Sequence, residues 1–326
     1  MSDSPSSSMR AVRFHRYGPP EVLACESVTS PRLSAGHVLV DVHAAGVNPV
    51  DWRYRQGQLR WIDWARFPRI PGADVAGTIR AAAADVSDFA PGDRVFAMLD
   101  TLRAGAYAEQ VAVPADQLAH VPESISLIDA AGIPLVACTA IQALRDLAQL
   151  QPGEQVLING ASGGVGTVAV QWAAHRQAIV TGVCSHRNTD LVRTLGAEQV
   201  IDYTRHDITT QSAAFDVVFD AFGNLSLAHA RPILRPGGRF VTTDITPTRL
   251  IEGLTSRLRL GPRSQVVVVK PSGADMQHIA DLLESGALRP VTDRTFPLCE
   301  AAAAHRYSET KRAQGKIVLV TDRGAE

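Results

Sequence analysis

The stretch from Gln155 to Arg176 constrains the fold more than any other. Gln155-Val156-Leu157-Ile158-Asn159 reads as a short apolar strand, and Gly160-Ala161-Ser162-Gly163-Gly164-Val165-Gly166 follows it directly. A helical pattern runs from Gly164 to about Arg176, and a second strand covers Ala178 to Val183. Strand, glycine-rich turn, helix and strand in that order form a parallel unit whose turn can hold the pyrophosphate of a dinucleotide. In the spacing GxGxxG the first position is Ala161 and the others are Gly163 and Gly166, with Gly160 keeping the turn tight. Gly163 lets the backbone approach the phosphates, whose charge faces the helix N-terminus. Gly166 lets the helix lie close to the sheet. Gly160, Ala161, Ser162, Gly163, Gly164, Val165 and Gly166 are therefore the expected cofactor contacts. A glycine-rich turn without a ligand is the alternative.

The alternation continues beyond this unit. A helix over Thr189–Leu195, strands at Gln199–Asp202 and Phe215–Asp220, a helix around Ser226–Leu234, and strands at Arg239–Thr243 and Gln265–Val269 follow in turn. Apolar strands alternating with helices imply a buried parallel sheet, hence an α/β doubly wound Rossmann domain. The first third differs. Val38–Ala44, Asp74–Ile79, Asp93–Ala97 and Tyr107–Val113 are short strand patterns, and Pro19-Pro20, Pro71-Gly72, Pro91-Gly92 and Pro114 punctuate the segment. No helical period runs through it, so an irregular, mostly antiparallel β-rich domain is expected. Leu127–Leu150 is rich in Ala and Leu with helical spacing. After Pro271 come a helix over Ala274–Ser285, another near Cys299, and the strand Lys316–Val320. These are expected to fold back onto the first domain. The resulting division is a disordered tail over 1–9, a β-rich domain over 10–122 and 271–326, and a Rossmann domain over 123–270. The chain's 326 residues suit two domains of roughly 150 residues each.

Composition removes several classes of function. There are 32 basic and 33 acidic residues, a formal net charge of −1, so no overall basic field favours nucleic acid or an anionic membrane. The longest apolar stretch, Ile125–Leu144, is interrupted by Asp129, Gly132, Pro134 and Gln142 and falls short of a membrane span. The Ser-rich start has no apolar core and is not a secretory signal. Cys25, Cys138, Cys184 and Cys299 are scattered, with no CxxC pair. That usage predicts a reducing, cytoplasmic compartment without disulfides or structural zinc.

The end of the second Rossmann strand bears on the choice of nucleotide. An acidic residue ~20 positions past the glycine turn would hold a ribose 2′-hydroxyl and repel a 2′-phosphate. Here Cys184-Ser185-His186-Arg187-Asn188 stands there, and the next carboxylate is Asp190, already in a helix. Ser185 offers a hydroxyl and Arg187 a forked cation, both suited to phosphate. NADPH is the expected cofactor. An exposed helix-start arginine is the alternative for Arg187. Tyr203 either stacks on the adenosine end or merely packs, and Phe222 is a further cofactor-side candidate.

Several strings, taken together, resemble the medium-chain dehydrogenase/reductase superfamily, and within it the zinc-free quinone oxidoreductase and enoyl reductase branch. They are Ala45-Gly46-Val47-Asn48-Pro49-Val50-Asp51, Ile70-Pro71-Gly72-Ala73-Asp74-Val75-Ala76-Gly77, Gly92–Phe96 and Gly105-Ala106-Tyr107-Ala108-Glu109. They continue with Ala130–Pro134, Thr139-Ala140, the glycine-rich turn, Leu195–Tyr203, Pro236–Arg239 and Gly315-Lys316-Ile317-Val318-Leu319. The resemblance implies a GroES-like catalytic domain split by a Rossmann domain, with the active site in the cleft between them. Zinc members of the superfamily carry a cysteine near Asn48, a Gly-His-Glu at Gly72-Ala73-Asp74, and a four-cysteine lobe. This chain lacks all three, so no metal is expected.

The resemblance also places Asn48 and Asp51 near nicotinamide and substrate. Asn48 would donate through its amide, and Asp51 would orient it or pass a proton. Asn-Pro-x-Asp is equally a good turn sequence. Tyr54 is a candidate acid or oxyanion donor, although the family's tyrosine often sits one place earlier, where this chain has Arg53. Thr139 resembles a nicotinamide-contacting threonine. Without a Lewis acid, the acceptors that fit are quinones and α,β-unsaturated carbonyls, reduced at C=C by hydride from NADPH. An enoyl reductase of a polyketide-like pathway and a non-catalytic NADPH-binding protein are the alternatives. Trp52, Trp61, Trp64 and Phe67, with Arg53, Arg55, Arg60 and Arg66, either line a pocket for a flat substrate or form a packed surface loop. His305 and the other histidines show no pattern. A homodimer is expected through the valine-rich edge strand Val266–Val269, unless Thr246–Pro262 covers that edge.

Overall fold

The computed structural model describes residues 8–62, 67–103, 105–210, 213–256 and 261–324. The chain divides into two compact units, Met1–Leu135 with Lys270–Gly286 and Pro290–Glu326, and Val136–Val269 with Ala287–Arg289.

The first unit opens with β1 (Ser8–Arg13), antiparallel to β2 (Ala24–Thr29). The expected tail ends two residues early, because Ser8 and Met9 pair with Thr29 and Val28 and Met9 is buried. Strand β3 (His37–Val47) leads into helix α1 (Pro49–Arg55). This helix corrects the reading of a helix-free first third, since seven residues are too few to show a period. Its start was legible as chemistry. Asn48 is the N-cap in a capping box with Asp51, and Pro49 sits in the first turn, where its missing N–H costs nothing. Strands β4 (Asp74–Ala82), β5 (Arg94–Met98), β6 (Gln110–Pro114) and β7 (Leu118–His120) complete the N-terminal part. β3, β4, β5 and β7 pair antiparallel in that order, and β6 pairs with the start of β3. Val38, Val40 and Val42 alternate into the core with Val95 and Val113, the two-residue period of a sheet with a buried face.

Helices α2 (Leu127–Ala131) and α3 (Pro134–Ile141) replace the single helix expected across Leu127–Leu150. Gly132 caps the first and Pro134 begins the second. α2 packs on β3 and β4, which keeps it in the first unit and puts the division at Leu135 rather than near Pro122.

The second unit contains β8 (Gln155–Asn159), α4 (Gly164–His175), β9 (Ile179–Cys184), α5 (Thr189–Thr194) and β10 (Gln199–Asp202). It continues with β11 (Phe215–Asp220), α6 (Leu227–Ala230), β12 (Leu234–Thr242), α7 (Pro247–Ser256) and β13 (Arg263–Val266). The strands form one parallel sheet in the order β10-β9-β8-β11-β12-β13. The order reverses between β8 and β11, so the loops after these two strands flank the position where such sheets hold a ligand. The edge strand lies two residues earlier than the expected Gln265–Val269. Ser256 of α7 covers part of it, accepting from Ser264 N–H at 3.0 Å.

The chain then returns to the first unit with α8 (Gly273–Glu284), β14 (Thr292–Pro297), α9 (Ala301–Glu309) and β15 (Lys316–Val320). β15 is antiparallel to β3 and sets Ile317 opposite Val47. The short turn Leu298–Glu300 lies against β1 and β2, and Cys299 forms a disulfide with Cys25, their Cα atoms 5.2 Å apart. This corrects the expectation of unpaired thiols. The partners are 274 positions apart, and only the folding of the C-terminal segment onto β2 brings them together. Cysteine usage therefore gives no argument for a reducing compartment. Among the described residues, no helix is long and apolar enough to cross a membrane.

Candidate functional site

In the second unit, the backbone of the glycine-rich turn is fixed by the sheet. Gly160 N–H and Ala161 N–H both donate to Val183 O, at 3.2 and 3.0 Å. Gly160 has φ +79°, which an L side chain strains to adopt. A Cβ on Gly166 would sit 2.1 Å from Gly160 O and 2.7 Å from Ala161 Cα, so helix α4 approaches the turn at backbone distance. Gly163 is the N-cap of α4, and among the described residues no side chain caps the first turn. A Cβ on Gly163 would meet only Gly160 O, at 3.4 Å. Open space over an uncapped helix start is what a pyrophosphate requires, and these residues fit a dinucleotide.

Other expected cofactor residues surround this turn. Ser162 Oγ accepts from Asn188 Nδ2 at 2.8 Å, so the buried Asn188 ties the turn to the segment after β9. Sequence reasoning passed over that amide. Ser185 precedes the short turn His186–Asn188, in which Arg187 is exposed. Tyr203, 61% exposed, follows β10 and donates its N–H to Cys184 O at 3.2 Å. Phe222 lies against Gly160, where an added Cβ would come within 2.9 Å of its own. Thr139 is buried on α3. Sheet register also places Asp202 opposite Cys184, so a carboxylate stands beside the end of β9 after all. Thr204 donates to its Oδ1 from N–H and Oγ1 at 2.9 and 2.7 Å, and these bonds, with Arg205 at 3.7 Å, hold its carboxyl below the usual range. Its buried Oδ2 accepts no hydrogen bond among the described residues.

In the first unit, the capping box of α1 sits inside a buried polar cluster. Asn48 is fully buried, and both ends of its amide are engaged. Its Nδ2 donates to Asp74 Oδ2 at 2.9 Å and its Oδ1 accepts from Lys316 Nζ at 2.5 Å. Lys316 also donates to Val47 O at 3.1 Å and to Asp74 Oδ2 at 3.2 Å, while Asp74 Oδ1 accepts from Leu135 N–H at 2.6 Å. The cluster is packed to backbone distance, since a Cβ on Gly46 would lie 2.6 Å from Asp74 Oδ2 and 2.5 Å from Ala131 O. The donor role expected for the Asn48 amide is thus directed into the fold. Asn48 is also the N-cap of α1. The cluster does not suit zinc either. Asn48 and Asp74 already hold an ammonium, and no three His, Cys, Asp or Glu side chains converge among the described residues.

Asp51 Oδ2 accepts from Asn48 N–H at 2.8 Å and from the Tyr107 hydroxyl at 3.2 Å. Tyr107 Oη lies 3.2 Å from His305 Nε2. Burial pushes the Asp51 carboxyl up to about 7, against the opposing Asn48 hydrogen bond, and the nearby Asp74 charge adds to the rise. Burial, reinforced by Arg55, drives His305 down to about 3. His305 is therefore a neutral core residue with a bond to the site, not the patternless histidine of the sequence reading. Its Nδ1 has no hydrogen-bond partner among the described residues.

Asp51 and Tyr54 open on a cavity of about 300 Å³, whose wall also includes Phe14, Arg69, Thr101 and Leu102. Tyr54 is only 7% exposed, and its buried hydroxyl makes no hydrogen bond among the described residues. The Arg69 guanidinium lies 4.5 Å over its ring. Trp52, Trp61 and Phe67, open to either a pocket lining or a packed surface loop, are not in the wall of this cavity. Trp52 is buried and bonds Ser308 Oγ at 3.2 Å, Trp61 is largely exposed, and Phe67 packs edge-on to Phe14 and Tyr17. Trp64 and Arg66 lie outside the described residues.

Comparison with known proteins gives a consistent picture. An alcohol dehydrogenase GroES-like domain model matches residues 34–123, and a zinc-binding dehydrogenase model matches 195–319. A chloroplastic quinone oxidoreductase of Triphysaria versicolor is 34% identical over 95% of this chain and 98% of its own length. A chloroplastic NADPH-dependent alkenal/one oxidoreductase of Arabidopsis thaliana is 34% identical over 95% of this chain and 79% of its own. The structure of the quinone oxidoreductase from Coxiella burnetii has a TM-score of 0.87 and 30% identity, covering 96% of this chain and 99% of that one.

Proposed function

Since the chain belongs to the medium-chain dehydrogenase/reductase superfamily, in its quinone oxidoreductase branch, we propose that it reduces quinones or the C=C bond of small α,β-unsaturated carbonyl compounds with NADPH. One observation carries the reading. Tyr54 lines the cavity together with Asp51, and its buried hydroxyl has no hydrogen-bond partner among the described residues. A buried unsatisfied hydroxyl costs about 1–3 kcal/mol, and a carbonyl oxygen in the cavity would supply its missing acceptor.

Bound NADPH supplies the hydride. The chain's own residues supply the rest. Tyr54 donates to the carbonyl oxygen, on which negative charge grows as the double bond is reduced. Asp51, which burial keeps partly protonated near neutral pH, delivers the proton that completes the product. Asn48 acts at one remove, holding Asp51 through its backbone N–H. The glycine-rich turn and α4 take the pyrophosphate, with Ser185 and Arg187 toward the 2′-phosphate and Tyr203 and Phe222 flanking the nucleotide. The Lys316–Asn48–Asp74 cluster supports zinc-independent chemistry. Metal analysis and chelation test that point, and stoichiometric zinc contradicts it.

The chain is further proposed to pair with a second copy along the edge beyond β13, where Val268 is 54% exposed and Leu250, Ile251 and Leu254 of α7 face solvent. Ser256 already occupies Ser264, which limits the edge available. Sedimentation decides it, and a species of one chain's mass refutes the pairing.

The assay of the main reading is NADPH oxidation against a panel of quinones and enones. Turnover of at least one class supports it. Tight NADPH binding with no acceptor reduced overturns it.

A further inference from the structure

We propose that Tyr107 and His305 are positioning residues of the active site, forming a one-directional hydrogen-bond chain that fixes which oxygen of Asp51 carries the proton into the cavity. The inference rests on the reductase reading and deepens it.

The geometry sets the direction. Asp51 Oδ2 is held by two donors, Asn48 N–H at 2.8 Å and Tyr107 O–H at 3.2 Å. Oδ1 makes no hydrogen bond among the described residues, and Asp51 lines the cavity. With Oδ2 engaged as an acceptor, a proton on the carboxyl belongs on Oδ1, the oxygen left for a substrate. The Tyr107 hydroxyl has one hydrogen and gives it to Asp51. Its contact with His305 Nε2, at 3.2 Å, must then be a bond in which the imidazole N–H donates. That assignment puts the His305 proton on Nε2 and accounts for Nδ1, which is buried and has nothing to donate to among the described residues. The chain therefore reads His305 Nε2–H to Tyr107 Oη–H to Asp51 Oδ2, from α9 through the loop before β6 to α1.

Its chemical effect follows. When Asp51 gives its Oδ1 proton to the product, the carbon gains a C–H bond and the carboxylate keeps the electron pair. Two donors then stabilise the new charge on Oδ2. Solvent returns the proton through the cavity. Around Asp51 stand Asp74 on β4, which favours the protonated form, and Lys316 on β15, which favours the carboxylate. Beyond the chain, burial keeps His305 neutral, and Arg55 on α1, itself paired with Glu309 on α9, adds to the effect. The imidazole thus donates without becoming a competing acid.

The test reads Asp51 itself. Side-chain carboxyl ¹³C NMR of the full chain gives its titration directly, and the pH profile of enone reduction gives it kinetically. Tyr107→Phe keeps the ring and removes one donor to the carboxylate. The Asp51 midpoint is expected to rise by about one pH unit, with the alkaline limb of kcat moving alongside. His305→Leu should shift it the same way by less, and His305→Gln, whose amide can still donate to Oη, should restore it. An unmoved Asp51 midpoint in Tyr107→Phe overturns the proposal, even if activity falls. Should Tyr107→Phe not fold, the His305→Leu and His305→Gln pair decides, and equal midpoints in the two refute it. Absence of enone or quinone turnover in the wild type overturns the reductase reading instead, while the NMR titration still reports on the chain.

Discussion

Lys316 Nζ donates to Oδ1 of Asn48 at 2.5 Å, joining residues 268 positions apart in a site where both are almost fully buried. The ammonium is the internal cation of this cluster. It balances Asp74 and turns the Asn48 amide, so that the Asn48 backbone can hold Asp51.

Lys316→Met should therefore destabilise the chain severely. Removing one partner of a buried ion pair leaves the other charge uncompensated, at about 3–5 kcal/mol. Asp74→Asn added to Lys316→Met should recover part of the loss, and urea denaturation of the three proteins measures it. A loss below about 1 kcal/mol for the single variant contradicts the assignment.

Asp51 makes stability depend on pH. Its carboxyl titrates near 7 in the folded chain against an ordinary 3.8, so the native state keeps a proton that the unfolded chain releases. Stability from this group is complete below about pH 4 and is lost as pH rises through about 7. Asp51→Asn should thus be more stable than the wild type at pH 8, by at most about 4 kcal/mol, with the gain shrinking toward pH 4. Its reductase activity should fall at the same time. Denaturant midpoints at both pH values check the sign, and a difference independent of pH contradicts it.

The two glycines of the turn should behave differently. Gly166→Ala drives a methyl into Gly160 O and Ala161 Cα, both backbone atoms, so fold stability and NADPH binding should fall together. Gly163→Ala meets only Gly160 O at 3.4 Å and should leave the melting temperature within a few degrees while weakening NADPH binding. Equal effects of the two on stability would show that the turn is not packed as described.

Arg187→Ala tests the choice of nucleotide. Loss of a charge-assisted bond to the 2′-phosphate should weaken NADPH at least tenfold, an effect of about 1.5–3 kcal/mol, with NADH little changed. An equal loss for both cofactors shows that Arg187 does not read that phosphate.

What the sequence revealed was local. The glycine-rich turn is a contiguous string between a strand and a helix, and its geometry follows from steric needs within seven residues. The Asn48–Asp51 capping box is equally local, although α1 was too short to show a period. Tyr107, His305 and Lys316 reach the site across 56, 254 and 265 positions from Asp51, and only strand pairing and the return of α9 and β15 bring them there. Gly105–Glu109 and Gly315–Leu319 stood out as strings, but nothing local tied Tyr107 or Lys316 to Asp51. Asp202 shows the same limit. It lies well past the end of β9 in sequence and beside it in the sheet.

The most direct measurement is the fate of the transferred hydrogen. NADPH deuterated at the transferring position should place deuterium on the β-carbon of an enone, with a solvent-derived proton on the α-carbon and the carbonyl intact. Tyr54→Phe and Asp51→Asn should slow the reaction without moving the label. Deuterium on the carbonyl carbon, giving an alcohol, would contradict C=C reduction and the roles given to both side chains.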